Sequence, residues 1–444
     1  MYKHKVSPII SGTVILTVAS LITRIIGFFY RMFLSSEFGE EGMGIYQLTS
    51  PILGLSFSLC VSGFQTAISK YVASEESKGH NATALTVLTK GLFFSLTLAI
   101  PCTFFIYYFS DYIAEYFLME IRTAPLIRII SLSIPLSCIH SCINAYYLGR
   151  KYAKIPAVTQ LIEQLVRVLT VYITCNIIVS CNQSPSLSVA AIGLLAGETA
   201  STVVSLLLFS HSAQAVHLNA IKKPENTSDK NNITYKILHM AFVIMINRII
   251  VNLFASAETI LLPQSLEKYG LTNQESLSLY GVICGMVLPL LLFPNALTGS
   301  VSVMLLPVVS EANEKKQTKK IRKITQRAFL FCFLLGVFFM LFFFLSGKFL
   351  GQFMFHSQIA GEYIVKLSFI CPLLYLSSTL NSILNGKGKT IQCLLTQIAG
   401  LTIRILFLLF FIPVYGINAY IIGLIVSQFV STVMCMFFIK KYIE

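Results

Sequence analysis

Charge is what this chain has least of. Only 12% of its 444 residues are Asp, Glu, Lys or Arg, while 55% are hydrophobic and the mean hydropathy is +0.75. A soluble domain is about a quarter charged and half apolar, so a water-surrounded globule is excluded. Also missing are a Walker loop, an HExxH metal motif, a GxSxG elbow and any cysteine pair spaced for zinc or redox chemistry. The expectation is therefore no enzyme, no catalytic residues, no metal site and no bound cofactor. Nor does a small-residue cleavage pattern follow the first apolar stretch, which reads as an insertion signal that stays in place. Alternating strands are absent too: AFLFCFLLGVFFMLFFFL, from Ala328, is apolar on every side, which excludes a β-barrel strand and leaves helices.

Apolar stretches of about 20 residues, each long enough to span a bilayer, follow one another from Pro8 nearly to the C-terminus. About twelve spans are expected, at approximately 8–35, 44–69, 84–109, 124–148, 157–180, 187–210, 237–263, 279–309, 325–346, 363–386, 390–413 and 416–439. The fold class expected is an all-α polytopic membrane protein.

The net charge of +14 does not indicate nucleic acid, because the cations crowd alternate loops. Lys3 and Lys5, Lys70 and Lys78, Arg150, Lys151 and Lys154, Lys222, Lys223, Lys230 and Lys236, the run Lys315 to Arg327, Lys387 and Lys389, and Lys440 and Lys441 mark every second one. The intervening loops carry Glu37, Glu40 and Glu41 or Asp111, Glu115 and Glu120, with fewer cations. By the positive-inside rule both termini are cytoplasmic. The run from Lys315 to Arg327 reads as a topology signal, with binding of acidic lipid headgroups as its alternative.

The second half repeats the first. A shift of 237 positions lays Pro135 on Pro372, Asn144 on Asn381, Gly149 on Gly386, Thr159-Gln160 on Thr396-Gln397 and Arg167 on Arg404. A shift of 236 lays Gly63 on Gly299 and Ser74-Glu75 on Ser310-Glu311; a shift of 230 lays Gly193-Leu194 on Gly423-Leu424. Arg24-Ile25-Ile26 matches Arg248-Ile249-Ile250. Six spans per half is an even number, so these are parallel repeats. The expected organisation is an N-lobe of spans 1–6 over 1–211, a cytoplasmic linker over 212–235 containing KKPENTSDKNN, and a C-lobe of spans 7–12 over 236–444, with a cavity between the lobes.

A charge at mid-bilayer costs at least about 2.5–3.5 kcal/mol, so such residues face a bundle interior or water. Here they are Arg24 and Arg31 in span 1, Glu163 and Arg167 in span 5, Glu198 in span 6, Arg248 and Glu258 in span 7, and Arg404 in span 11. Glu163 and Arg167, four apart, share a helix face and can neutralise each other, and Glu198 can pair with a neighbouring arginine. Arg31, near the outer end, can snorkel to the headgroups. Arg24, Arg248 and Arg404 have no acid at helical spacing on their own helices. Guanidinium groups take phosphate through paired, charge-assisted hydrogen bonds, so all five arginines are candidates for a pyrophosphate-bearing substrate, these three foremost. Glu258, Glu198 and Glu163 are candidates for ion coupling. His140, Cys138 and Cys142 read as packing in an apolar helix.

LITRIIGFFYRMFLSSEFGEEGMGIYQL from Leu21, SGFQTAISKYVASEE from Ser62 and LYGVICGMVLPLLLFPNALTGSVSVMLLPVVSEA from Leu279 resemble the sporulation-type polysaccharide exporters, the stage V sporulation protein B group. That group lies in the multidrug, oligosaccharidyl-lipid and polysaccharide (MOP) exporter superfamily, which includes the lipid II flippases. The resemblance covers essentially the whole chain. It implies two six-helix lobes around a central cavity, alternating access, and export of undecaprenyl-pyrophosphate-linked saccharide for peptidoglycan, spore cortex or polysaccharide. It implies the cytoplasmic membrane of a bacterium, a monomer, and coupling to Na+, H+ or the membrane potential. Arg24 looks like a cavity arginine of the lipid II flippases, Arg31 lies one position beyond a second such place, and Glu258 stands where members of the group often carry an acid. The extra pair of helices that some lipid II flippases use for the lipid tail has no counterpart in these spans. A cation-coupled drug antiporter of the same superfamily is the alternative, and a membrane-embedded glycosyltransferase is the rival from another class.

Overall fold

The computed structural model describes residues 8–77, 79, 81–220, 230–295, 297–299, 301, 302, 305, 309 and 317–443. Lys3, Lys5, Lys78, Lys222, Lys223, Lys315, Lys316, Ser310, Glu311 and residues 221–229 of the expected linker lie outside them, while the linker's described ends, 212–220 and 230–235, are helical and not the flexible chain expected. Thirteen helices carry the argument, all of them apolar over most of their length. They are α1 (Pro8–Gln47), α2 (Ser50–Ser77), α3 (Asn81–Tyr108), α4 (Ala124–Ser131), α5 (Ser133–Gly149), α6 (Lys154–Ser180), α7 (Ser188–Ala220), α8 (Lys230–Tyr269), α9 (Asn273–Leu292), α10 (Thr318–Phe355), α11 (Gln358–Gly386), α12 (Thr390–Tyr415) and α13 (Ile417–Ile443). Among the described residues eleven helices are long and apolar enough to cross a bilayer, and the number is twelve when α5 and the segment from Ile121 through α4, bent by 43° between Ser131 and Ser133, count as one span. The expected all-helical, roughly twelve-span protein is what the structure shows.

Contacts divide the chain into two units, Met1–Gly27 with Thr49–Leu253, and Phe28–Leu48 with Phe254–Glu444. The boundary of the sequence repeat falls between α7 and α8, and the contact division parts α1 after Gly27 and α8 after Leu253.

In the first unit the core joins Phe64, Ile68 and Val72 of α2, Val87 and Leu88 of α3, Ile143 and Tyr146 of α5, and Ile237 and Ala241 of α8. With no water to drive association in lipid, helices gain by close packing, which small residues permit. Gly63 is such a contact: a Cβ there would lie 2.3 Å from the Ala241 carbonyl oxygen. Gly149 likewise lets α5 meet the Ser69 carbonyl of α2.

The second unit uses the same device. A Cβ on Gly44 would lie 2.1 Å from the Leu277 carbonyl oxygen, and one on Gly281 the same distance from that of Glu40. This reciprocal contact binds the end of α1 to the start of α9. Its core around Ile321, Cys332, Leu380, Ile383, Leu384, Cys435 and Ile439 joins α10, α11 and α13. Gly416, at φ 62°, makes the turn from α12 to α13 against the Tyr269 ring, where a Cβ would meet ring carbon at 2.9 Å.

The repeat extends to hydrogen bonds. Thr159 donates to Asn144 Oδ1 at 3.1 Å, and Thr396 donates to Asn381 Oδ1 at 3.4 Å. These are the positions that the shift of 237 superimposes.

Candidate functional site

In the first unit α6 and α7 pack through Gly193 and Gly197. A Cβ on Gly197 would lie 2.7 Å from the Glu163 carbonyl oxygen and 3.2 Å from Arg167 Cβ, so the missing side chain sets Glu198 beside Glu163. Arg167 donates to Glu163 Oε1 at 2.6 Å, as their spacing of four allows. His140 of α5 joins them, with Nε2 2.8 Å from Glu198 Oε2. Its reading as packing is thereby corrected: the residue is 8% exposed and holds a carboxylate. Glu198 finds an imidazole, not the arginine expected of it.

One ligand atom each from His140, Glu163 and Glu198 lie within 4.8 Å of one another. An imidazole and two carboxylates suit several divalent ions. Arg167, however, already binds Glu163, and His140 already bonds Glu198, so both carboxylates are engaged without a metal.

Beside it opens a recess of about 330 Å³, lined by Gly54, Ser56, Phe57, Ser137, Glu198 and Asn252 among others. Asn252 donates to Ser58 Oγ at 2.6 Å and to the Arg248 carbonyl oxygen at 3.1 Å, which fixes its amide one turn along α8 from Arg248. Arg24 and Arg248 both belong to this unit and are exposed, and among the described residues neither guanidinium has an ion-pair or hydrogen-bond partner.

In the second unit Arg404 of α12 donates to Glu258 of α8 at 3.0 Å, with the other carboxylate oxygen at 2.9 Å. Tyr420 of α13, 2% exposed, donates its hydroxyl to the same carboxylate at 3.0 Å. Glu258 is 8% exposed and is held by three helices of that unit. The acid missing from Arg404's own helix is thus supplied by another. Arg31 donates to the Gly285 carbonyl oxygen at 3.2 Å. Gly285 lies in the π-helical stretch Gly281–Val287 of α9, where a widened turn leaves carbonyls open to outside donors.

Reasoning from sequence missed His140, Asn252 and Tyr420. Nothing in an apolar helix distinguishes a packed Tyr or His from one bonded to a distant acid. All eleven cysteines are free, and Cys138 and Cys142 are buried.

Apolar helices long enough to cross a bilayer, with ion pairs buried among them, are those of a multi-pass membrane protein, and comparison with known proteins gives its family. The family described as "Polysaccharide biosynthesis protein" matches residues 9–313, and the MatE family matches 270–410. The chain belongs to the polysaccharide biosynthesis protein family. It is 25% identical over 431 residues to "Stage V sporulation protein B" of Bacillus subtilis (strain 168), covering 96% of this chain and 82% of that protein. An inward-facing multidrug resistance MATE family transporter of the MOP superfamily superposes with a TM-score of 0.72 at 14% identity, covering 97% of this chain and 98% of that one. "Lipid II flippase MurJ" in an inward closed conformation superposes at 0.71 and 12% identity, covering 96% and 87%. At these identities the superpositions establish the fold.

Proposed function

We propose that this protein moves an undecaprenyl-pyrophosphate-linked saccharide across the bacterial cytoplasmic membrane by alternating access, with both its termini cytoplasmic, as a precursor for peptidoglycan, spore cortex or polysaccharide. The observation that carries the reading is a surplus of positive charge within the spans. Glu163, Glu198 and Glu258 each have a basic partner in Arg167, His140 and Arg404, while Arg24 and Arg248 have none among the described residues. Two guanidiniums placed in apolar helices at a cost of about 2.5–3.5 kcal/mol each are suited to a ligand that brings its own negative charge, and a pyrophosphate offers both charge and bidentate geometry. The match to the family described as "Polysaccharide biosynthesis protein" supports a saccharide precursor as the cargo.

Arg24 and Arg248 bind the pyrophosphate in this scheme. Arg167 and Arg404 hold acids whose partners can exchange during the cycle, Arg31 fixes α1 to α9, and the His140, Glu163 and Glu198 group holds an exchangeable proton or cation that couples transport. The activity is transport, not catalysis. A cation-coupled drug antiporter draws support from the MatE match, but it calls for an unpartnered acid to receive the cation. The test is lipid-linked precursor accumulation in a strain that depends on this gene: wild type relieves it, and the Arg24→Ala, Arg248→Ala double variant does not. Full relief by the double variant removes the binding role of these arginines.

A further inference from the structure

Away from this charge cluster, the second unit holds a cavity of about 580 Å³ lined by Lys319, Arg322, Thr325, Gln326, Phe329, Leu330, Leu380, Met436, Ile439 and Lys440. Its composition changes with depth in the same way on two helices. On α10, Lys319, Arg322, Gln326 and Phe329 fall at steps of three, four and three, so one helix face runs from cations to an amide to a ring. On α13, Met436, Ile439 and Lys440 share a face in the opposite chain direction, apolar first and cation last. Both faces thus bring cations to one end of the cavity and hydrocarbon to the other, while Leu380 of α11 adds to the apolar part.

Among the described residues three cations line the cavity and no acid does. Thr325 Oγ1, on the same wall, is buried without a hydrogen-bond partner, although buried hydroxyls are nearly always bonded. An orphaned donor beside three cations marks a place for an acceptor that carries negative charge. The apolar portion requires that this acceptor be attached to hydrocarbon.

We propose that the cavity binds an anionic phospholipid, its phosphate received by Lys319, Arg322, Lys440 and the Thr325 hydroxyl, and its acyl chains laid on Phe329, Leu330, Met436 and Ile439. Free phosphate would leave the apolar wall uncovered, and a zwitterionic lipid would set its own cation against three others. Basic pockets between spans on the cytoplasmic side are where acidic headgroups are held, and the alternation of basic loops puts this end of α10 and α13 on that side. The basic run from Lys315 to Arg327 thus includes two lipid ligands, Lys319 and Arg322, and it acquires Lys440 from the far end of the chain.

The experiment is native mass spectrometry of the full-length protein in detergent, titrated with phosphatidylglycerol or with phosphatidylcholine of the same acyl chains. Wild type retains phosphatidylglycerol preferentially. Arg322→Gln weakens that retention about fivefold, and the Lys319→Gln, Arg322→Gln, Lys440→Gln triple variant by about a hundredfold, with phosphatidylcholine retention unchanged. Thr325→Val weakens it less than any one cation removal. A control pair, Lys348→Gln with Lys366→Gln, lies outside the cavity and leaves the preference as it was. Absence of the preference in wild type, or its persistence in the triple variant, overturns the assignment. So does displacement of the lipid by millimolar inorganic phosphate, which would make this an anion site, or stronger retention of undecaprenyl phosphate, which would give it to the transported lipid.

Discussion

Arg404 donates to the carboxylate of Glu258 at 3.0 Å across 146 positions of sequence. Its counterpart in the repeat, Arg167, is paired four positions away with Glu163, and Gly400 occupies the place equivalent to that acid. The duplication has kept the arginine and changed where its acid comes from. In the second unit the pair ties α8 to α12, whereas in the first it stays on one helix and leaves Glu198 to His140.

Arg404→Ala is expected to be costly, because it strands a carboxylate that is 8% exposed. Removing one partner of a buried pair costs about 3–5 kcal/mol, which would read as a marked fall in the thermal unfolding temperature of the detergent-purified protein. Glu258→Gln added to Arg404→Ala recovers part of that loss. Tyr420→Phe, which removes one of the carboxylate's three short contacts, costs about 1.5–3 kcal/mol. Equal stability of Arg404→Ala and wild type would show that the pair is not a fixed part of the fold.

Arg167→Ala leaves Glu163 and Glu198 facing each other with only His140 for compensation. It is expected to destabilise the first unit, and Glu163→Gln in the same chain is expected to restore most of the stability. A double-mutant cycle measures the coupling, which for groups in one network runs to about 0.5–3 kcal/mol. A coupling near zero would mean that the two side chains act independently.

How far these pairs could be read in advance follows from the reach of sequence rules. Spacing on one helix revealed Glu163 with Arg167, and the shift of 237 put Asn144 and Thr159 over Asn381 and Thr396, whose hydrogen bonds then proved alike. The spans were legible because apolar length is a local property. His140 with Glu198 and Arg404 with Glu258 were not, because those partners meet only after whole helices have packed.

Gly44→Ala and Gly281→Ala test that packing. Each new methyl would point at a backbone carbonyl 2.1 Å away, and a backbone group cannot swing aside as a side chain can. A cost of about 1–3 kcal/mol is expected for each, seen as reduced yield of folded protein and a lower unfolding temperature. Gly79→Ala, at a turn where a Cβ meets nothing within 4 Å, should disturb neither helix contact; its φ of 82° limits the cost to local backbone strain.

Overexpression is expected to give no resistance to cationic dyes, because Glu163, Glu198 and Glu258 already have basic partners. Growth of a drug-sensitive host on ethidium measures this. Resistance that disappears in Glu198→Gln would favour the antiporter reading.

The most direct measurement is translocation of a fluorescent lipid-linked saccharide in vesicles reconstituted with purified protein. Wild type is predicted to move it, and the Arg24→Ala, Arg248→Ala double variant to lose at least about tenfold in rate. Among the described residues neither arginine has a partner to strand, so the unfolding temperature of the double variant should stay within the range of an ordinary surface change, about 0.5 kcal/mol. Undiminished translocation by the folded double variant would contradict the account.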